Sequence, residues 1–253
     1  YTTLFRSFKT LYNTQRANVG AAPFDFSRYD STGANTNWQD QIFRTAIIAS
    51  NSLSISNSTD KATTYINVGY LTQEGVEKYD KYEKYIARLN EEIRLNKNIK
   101  MGGEVTGFYF KQNPPPGAEI ENRALWAVPN IPVQAAPGVY YATPSFQTQV
   151  PNPVSVIDGR NGNTINNGYR VTGNVFAEIK FLQNFTWRST VYTDLGFSTS
   201  REYSQLPYSF VNLGEGGNPT TITFDNSVRT SVTQNQGESR RFQQDHVLSF
   251  DKN

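Results

Sequence analysis

The sequence predicts an all-β chain built as an antiparallel sheet, and three observations carry that prediction. Beyond about Ala49 the apolar residues recur at every second position, the period of a strand. Only 37% of the 253 residues are hydrophobic and 18% charged, while 16 Phe, 15 Tyr and 18 Gly give an aromatic, neutral-polar profile that favours strands. Short and long connections alternate along the chain, so the short turns fall at one end of the sheet. That asymmetry marks a segment of an antiparallel transmembrane β-barrel, with tight periplasmic turns and long extracellular loops. A soluble β-sandwich alternates in the same way on its inward face, and it is the other architecture open to this pattern.

The helix comes first. Leu4, Phe8, Leu11 and Tyr12 fall on one face of a short helix over residues 4 to 18, stopped by Gly20 and Pro23. A polar stretch from Asp25 to Asn37 follows, and Trp38-Gln39-Asp40 leads into Ile42-Phe43. Residues 1–48 are therefore expected as an extracellular loop segment with a short helix leading into the barrel, and 49–253 as a partial β-barrel.

Leu53 and Ile55 alternate with serines, and after Asn57-Ser58-Thr59-Asp60-Lys61 the residues Ile66, Val68 and Tyr70 alternate with Tyr65, Asn67 and Gly69, a tight hairpin. Residues 82 to 95 fit a helix face (Tyr82, Ile86, Leu89, Ile93) or a strand face broken only by Glu91. The turn chemistry of Asn96-Lys97-Asn98 and the alternation from Met101 to Tyr109 make a second hairpin the more coherent choice. Long external loops are expected at 111–167, which holds Pro114-Pro115-Pro116-Gly117, and at 198–225. Between them, Tyr169, Val171, Gly173, Val175, Ala177 and Ile179 form the cleanest strand face. A turn near Leu182-Gln183-Asn184 leads to a partner carrying Phe185, Trp187, Val191, Leu195 and Phe197, and a last stretch runs through Val232 to Leu248 and Phe250. The count is about seven strands. Tyr1 without an initiator Met and a terminal turn at Asp251-Lys252-Asn253 read as cut ends.

Composition narrows the function. The 24 basic and 22 acidic residues are dispersed, so no basic tract is present to neutralise phosphates, and nucleic acid is not expected as a partner. Without Cys there is no thiolate nucleophile or zinc–cysteine site, and the single His leaves one imidazole. No apolar run approaches the roughly 18 residues of a membrane helix, which does not exclude strands that cross a bilayer.

Four phrases follow one another along the chain: Thr36-Asn37-Trp38-Gln39-Asp40-Gln41-Ile42-Phe43-Arg44-Thr45-Ala46, Leu53-Ser54-Ile55-Ser56 followed by Thr59-Asp60-Lys61, Gly69-Tyr70-Leu71-Thr72-Gln73-Glu74-Gly75, and Tyr85-Ile86-Ala87-Arg88-Leu89-Asn90. In order and spacing they strongly resemble the SusC/RagA-like TonB-dependent transporters of Bacteroidetes outer membranes. The likeness continues through Arg123-Ala124-Leu125, Pro129, Pro132 and Tyr169 to Lys180. The resemblance implies a barrel of roughly 22 strands. It also implies a plug domain and TonB-contacting segment before Tyr1, further strands after Asn253, and no cofactor. In such a system a SusD-like surface lipoprotein captures oligosaccharide or peptide cargo, and the TonB system drives import through the outer membrane. About seven strands would leave two open edges, which do not persist in lipid, so the chain is expected to be a piece of a longer polypeptide.

On that reading Arg170, Asn174 and Glu178 face the lumen, whereas Val171, Val175 and Ile179 face outer-membrane lipid. Trp126, Tyr140, Tyr141 and Phe146 lie where a glycan or peptide would arrive, and are candidates for ligand contact through their flat rings. The remaining polar features have simpler readings. His246 lacks an orienting carboxylate, because adjacent Asp245 points to the opposite face of a strand. Glu91 and Glu92 diverge for the same reason, one expected in the lumen and one near the turn. Asp158, Asn161 and Asn163 miss the EF-hand spacing, and Gly214-Glu215-Gly216-Gly217 lacks the Lys and Ser/Thr of a phosphate loop. Neither a metal site nor catalysis is expected. The alternative function is a soluble carbohydrate-binding β-sandwich module.

Overall fold

The computed structural model describes residues 2–114, 119–142, 144, 152–160, 164–204, 209–214, 217–224 and 230–251. Helix α1 (Thr2–Asn18) and two short helices, α2 (Ser27–Asp30) and α3 (Trp38–Ile42), precede the strands. Next come β1 (Ile48–Ser58), β2 (Ala62–Glu74), β3 (Lys81–Arg94) and β4 (Ile99–Asn113). The first long connection holds α4 (Glu119–Trp126), β5 (Gln134–Ala136), β6 (Val139–Tyr141) and α5 (Pro153–Arg160). Strands β7 (Thr164–Phe181) and β8 (Phe185–Ser204) form a long hairpin, and β9 (Ser209–Leu213), β10 (Pro219–Phe224) and β11 (Ser231–Phe250) follow.

Seven of these strands make one antiparallel sheet in the order β1-β2-β3-β4-β7-β8-β11. Residues 82–94 resolve as part of strand β3, paired with β2 and β4. The pairing partners on both sides override the helical reading of the same side chains. Local chemistry closes the short turns. Asn96 Oδ1 accepts the amides of Asn98 and Ile99 at 2.8 and 2.9 Å, and Thr59 exchanges hydrogen bonds with Ala62.

The register carries a tilt. Ala62 aligns through the ladder with Ile93, Met101 and Ala177, Arg94 with Lys100 and Glu178, and Phe181 with Phe185. The three turn tips therefore advance by about one residue, about 3.3 Å, for each strand spacing of about 4.8 Å. Taken as one level, they set the strands about 35° from its normal, the tilt of a membrane barrel.

The two long connections differ from expectation. The strands continue into them, to Asn113 and from Thr164 on one side and to Ser204 on the other, so neither 111–167 nor 198–225 is loop throughout. A second sheet, β10-β9-β6-β5, draws strands from both. In α1, Phe8 and Tyr12 pack on the core while Leu11 is 70% exposed, a narrower stripe than the sequence suggests.

The core is not in the large sheet. Among the described residues every buried hydrophobic side chain, including Trp38, Ile42, Ile120, Ile157 and Val211, belongs to the N-terminal segment, the long connections or the small sheet. A soluble sandwich would bury one face of its main sheet, and that reading is corrected here. Among the described residues neither face of the seven-stranded sheet is covered by a packed layer. No described helix is long and apolar enough to cross a membrane.

Candidate functional site: a two-faced sheet and its loop cap

Val171 and Val175 lie on one face of β7 with Ile179, and Arg170, Asn174 and Glu178 lie on the other, as strand alternation requires. The first face is apolar from β1 to β8, interrupted by Glu91, while edge strand β11 carries Glu238, Arg240 and Gln244 on it in line with Phe197, Leu195 and Val191. One row runs Leu53, Val68, Ala87, Gly107, Val171, Leu195, each aligned with the next. Two aromatic rows bound it. Tyr70, Tyr85, Tyr109, Tyr169 and Phe197 follow one another over five strands with successive ring centroids 4.8, 6.3, 6.0 and 5.7 Å apart. Phe181, Phe185 and Phe250 do the same beside the β7–β8 turn, at 5.7 and 4.9 Å. Tyr169 and Phe181 are separated by about 40 Å along the strand, or about 32 Å after the tilt, close to the thickness of a hydrocarbon core.

His246 lies on this apolar face and stacks on Trp187, with centroids 5.8 Å apart and rings 7° from parallel. Asp245, on the opposite face, accepts from Gln243 instead. Glu91 also lies on the apolar face, aligned with Gly103, while Glu92 crosses to the polar face and pairs with Lys100 at 2.9 Å. Glu91 therefore interrupts the apolar strand face of Leu89 and Ile93, and it is Glu92 that reaches the polar face.

The polar face is a ladder of opposite charges. Arg170 donates Nε–H to Asp194 at 2.7 Å, Arg188 meets Glu178 at 3.6 Å, and Arg88 meets Glu104 at 3.8 Å. The Arg188 guanidinium lies 3.8 Å over the Phe176 ring and the Lys84 ammonium 4.3 Å over Phe108. These half-exposed pairs add little stability, about 0–1 kcal/mol each. They pair opposite charges along one face.

Beyond the outer ends of the strands the long connections close into a cap with its own core. Trp38 donates Nε1–H to the Val128 carbonyl at 2.8 Å, and Thr36 donates to Ile131 across 95 residues. Asn152 caps α5, accepting the amides of Val154 and Ser155, while its Nδ2 donates to the Val133 and Tyr141 carbonyls. Asn152-Pro153 is a helix-start signature in the sequence that would have located α5.

This packing overturns two candidate ligand contacts. Tyr140 and Tyr141 are only 3% and 7% exposed, and the Tyr140 hydroxyl donates to Asp158 at 2.7 Å. Their rings fill the cap core, since aromatic surface in a folded connection is buried like any other. Trp126 is 64% exposed, and Phe146 lies outside the described residues. Asp158 also accepts the Tyr79 hydroxyl at 2.9 Å, and Asn161 and Asn163 lie outside the described residues. Among the described residues no group of three or more His, Asp and Glu is arranged to hold a metal.

The β2–β3 connection pegs the cap to the sheet. Gly75 is required there, since an added Cβ would collide with Asp80. Tyr79 adopts φ 72°, a left-handed conformation unusual for a bulky residue, with its hydroxyl held by Asp158. Arg44 donates to the Gly75 and Asp80 carbonyls at 3.1 and 2.8 Å. Glu77 is buried beside Glu121, with Oε2 lacking a hydrogen-bond partner. Burial, then the Glu121 carboxylate, raises its pKa, and Asp80 is raised by burial against the pull of Arg44. A carboxyl raised on folding contributes stability below its unfolded pKa that is lost as pH rises through the folded one. The cap is therefore expected to loosen from mildly acidic to neutral pH, and Glu77→Gln to flatten that dependence. Protease susceptibility of the cap between pH 4 and pH 8 reads this; equal slopes in both proteins would remove Glu77 from the account.

No protein-family model matches the chain. Curated proteins do, among them two TonB-dependent receptors. TonB-dependent receptor P26 of Formosa agariphila is 28% identical over 252 residues, 95% of this chain and 25% of that protein. TonB-dependent receptor SusC of Bacteroides thetaiotaomicron is 25% identical over 231 residues, 79% of this chain and 22% of that protein. The chain thus spans about a quarter of the length of these relatives. Among solved structures, the RagAB peptide importer in its closed-closed state superposes with a TM-score of 0.55 at 18% identity, over 69% of this chain and 20% of that one. The RagAB peptide transporter gives 0.55 at 17%, over 68% and 20%. At these identities the superpositions speak for the fold.

Proposed function

We propose that the chain is a barrel segment of a SusC-like TonB-dependent outer-membrane transporter, with its apolar face meeting lipid and its polar face lining the import passage. The observation that carries this is the absence, among the described residues, of any buried hydrophobic side chain in a seven-stranded sheet that is mainly apolar on one side and charged on the other. In a bilayer both faces are satisfied; in water the apolar one is not.

The full protein, on this reading, imports oligosaccharides or peptides, working with a SusD-like surface lipoprotein and the TonB system. SusC among the relatives and the peptide importer RagAB among the structures support that class of cargo and partner. The chain contributes wall strands and part of the outer cap, on which Trp126 is an exposed side chain. The test is uptake of labelled oligosaccharide and peptide pools by cells with and without the full-length gene. Uptake that needs the gene and stops when a protonophore discharges the inner membrane is expected. Gene-dependent uptake indifferent to the protonophore would contradict an energised importer.

A further inference from the structure

The outer half of the polar face is not uniform. On one row Phe110, Gly168, Ser198 and Gly237 are aligned across four strands, and on the next Phe108, Arg170, Gly196 and Ser239. Three glycines therefore lower the floor where neighbouring rows carry side chains. A Cβ on Gly196 would come within 2.6 Å of Ser239 Oγ. The result is a cavity of about 520 Å³, a volume typical of small-ligand sites.

Its walls differ in chemistry. Phe108 and Phe110 stand on one side, with Lys84 lying over the Phe108 ring. Toward the turns, Asp194 is held by Arg170 through two hydrogen bonds and is also near Arg241, so one carboxylate faces two guanidiniums. Arg170 directs two of its five N–H groups to Asp194 and keeps the rest. Glu238 and Arg240 point to the opposite face of β11 and pair with each other there, so they leave the charge of the wall unchanged. The wall thus has excess positive charge beside a hydroxyl-bearing floor and flat rings.

We propose that this cavity is a passage subsite for an acidic sugar unit, a pyranose bearing a carboxylate, within the lumen assigned above. Phe108 covers the apolar face of the ring, Ser198 and Ser239 meet its hydroxyls, and Arg241 with Arg170 receives the carboxylate. An acidic peptide would satisfy the arginines alone. It would leave the serine floor unused, which is why the sugar is favoured.

The test uses the purified full-length transporter in detergent, titrated with digalacturonate, with neutral galactobiose and with a Glu-Glu dipeptide. Digalacturonate is expected to bind at least about tenfold more tightly than either of the others. Arg241→Gln should remove most of that advantage over galactobiose, and Phe108→Ala should weaken both saccharides about fivefold. Heat-modifiable mobility on gels, checked for each protein, reports the barrel independently. A folded barrel that binds the three probes equally, binds none, prefers the dipeptide, or is unchanged by both substitutions overturns the subsite. Failure of the wild-type protein to form a barrel would instead overturn the transporter reading on which it rests.

Discussion

Val175→Arg in the full-length transporter sharply lowers the yield of folded barrel, whereas Asn174→Arg, one residue away, leaves it near wild type. Val175 is 61% exposed on the apolar face, aligned with Gly103 and Val191 about midway between the two aromatic rows. An arginine there faces hydrocarbon at a depth where the cost is about 2–4 kcal/mol, and falls toward the interfaces. Asn174 lies opposite, aligned with Glu104 and Tyr192 on the charged face, where a guanidinium finds water and a carboxylate. Outer-membrane fractions compared by heat-modifiable migration give the measurement. Equal yields for the two variants would mean that the apolar face does not see lipid.

Trp38→Ala opens the cap and spares the barrel. The indole is 4% exposed, and its Nε1–H satisfies the Val128 carbonyl at 2.8 Å. Truncating a buried aromatic of this size costs about 3–5 kcal/mol, including the carbonyl left without its donor. The core around Trp38 takes no buried residue from the seven-stranded sheet among the described residues, so the loss should remain local. Limited proteolysis of whole cells is expected to nick the long connections of the variant while its heat-modifiable band persists. Loss of that band together with the cap would show that the two fold as one unit.

The hairpins were legible because their signals are local. Alternation from Met101 to Tyr109 and from Tyr169 to Ile179, with turn chemistry at Asn96 and near Leu182, is read within a dozen residues. Residues 82–95 were ambiguous for the complementary reason: their side chains fit two periods, and only the ladders to β2 and β4 select one. Tyr140 and Tyr141 misled as ligand contacts because an exposed loop aromatic and a buried one look alike in a sequence. The acidic pair at the peg, Glu77 and Glu121, carried no signal at all, since nothing in their spacing brings them together.

By itself the sequence determined the strand class, the order of the hairpins and which residues share a face, because alternation is a property of each strand alone. Only the tertiary structure decided where the core sits and what the long connections do. Trp38 reaches Val128 across 90 residues and Tyr79 reaches Asp158 across 79, and the small sheet joins two connections with a hairpin between them. Contacts at such separations depend on loop closure and on competition among buried surfaces, which no local period encodes.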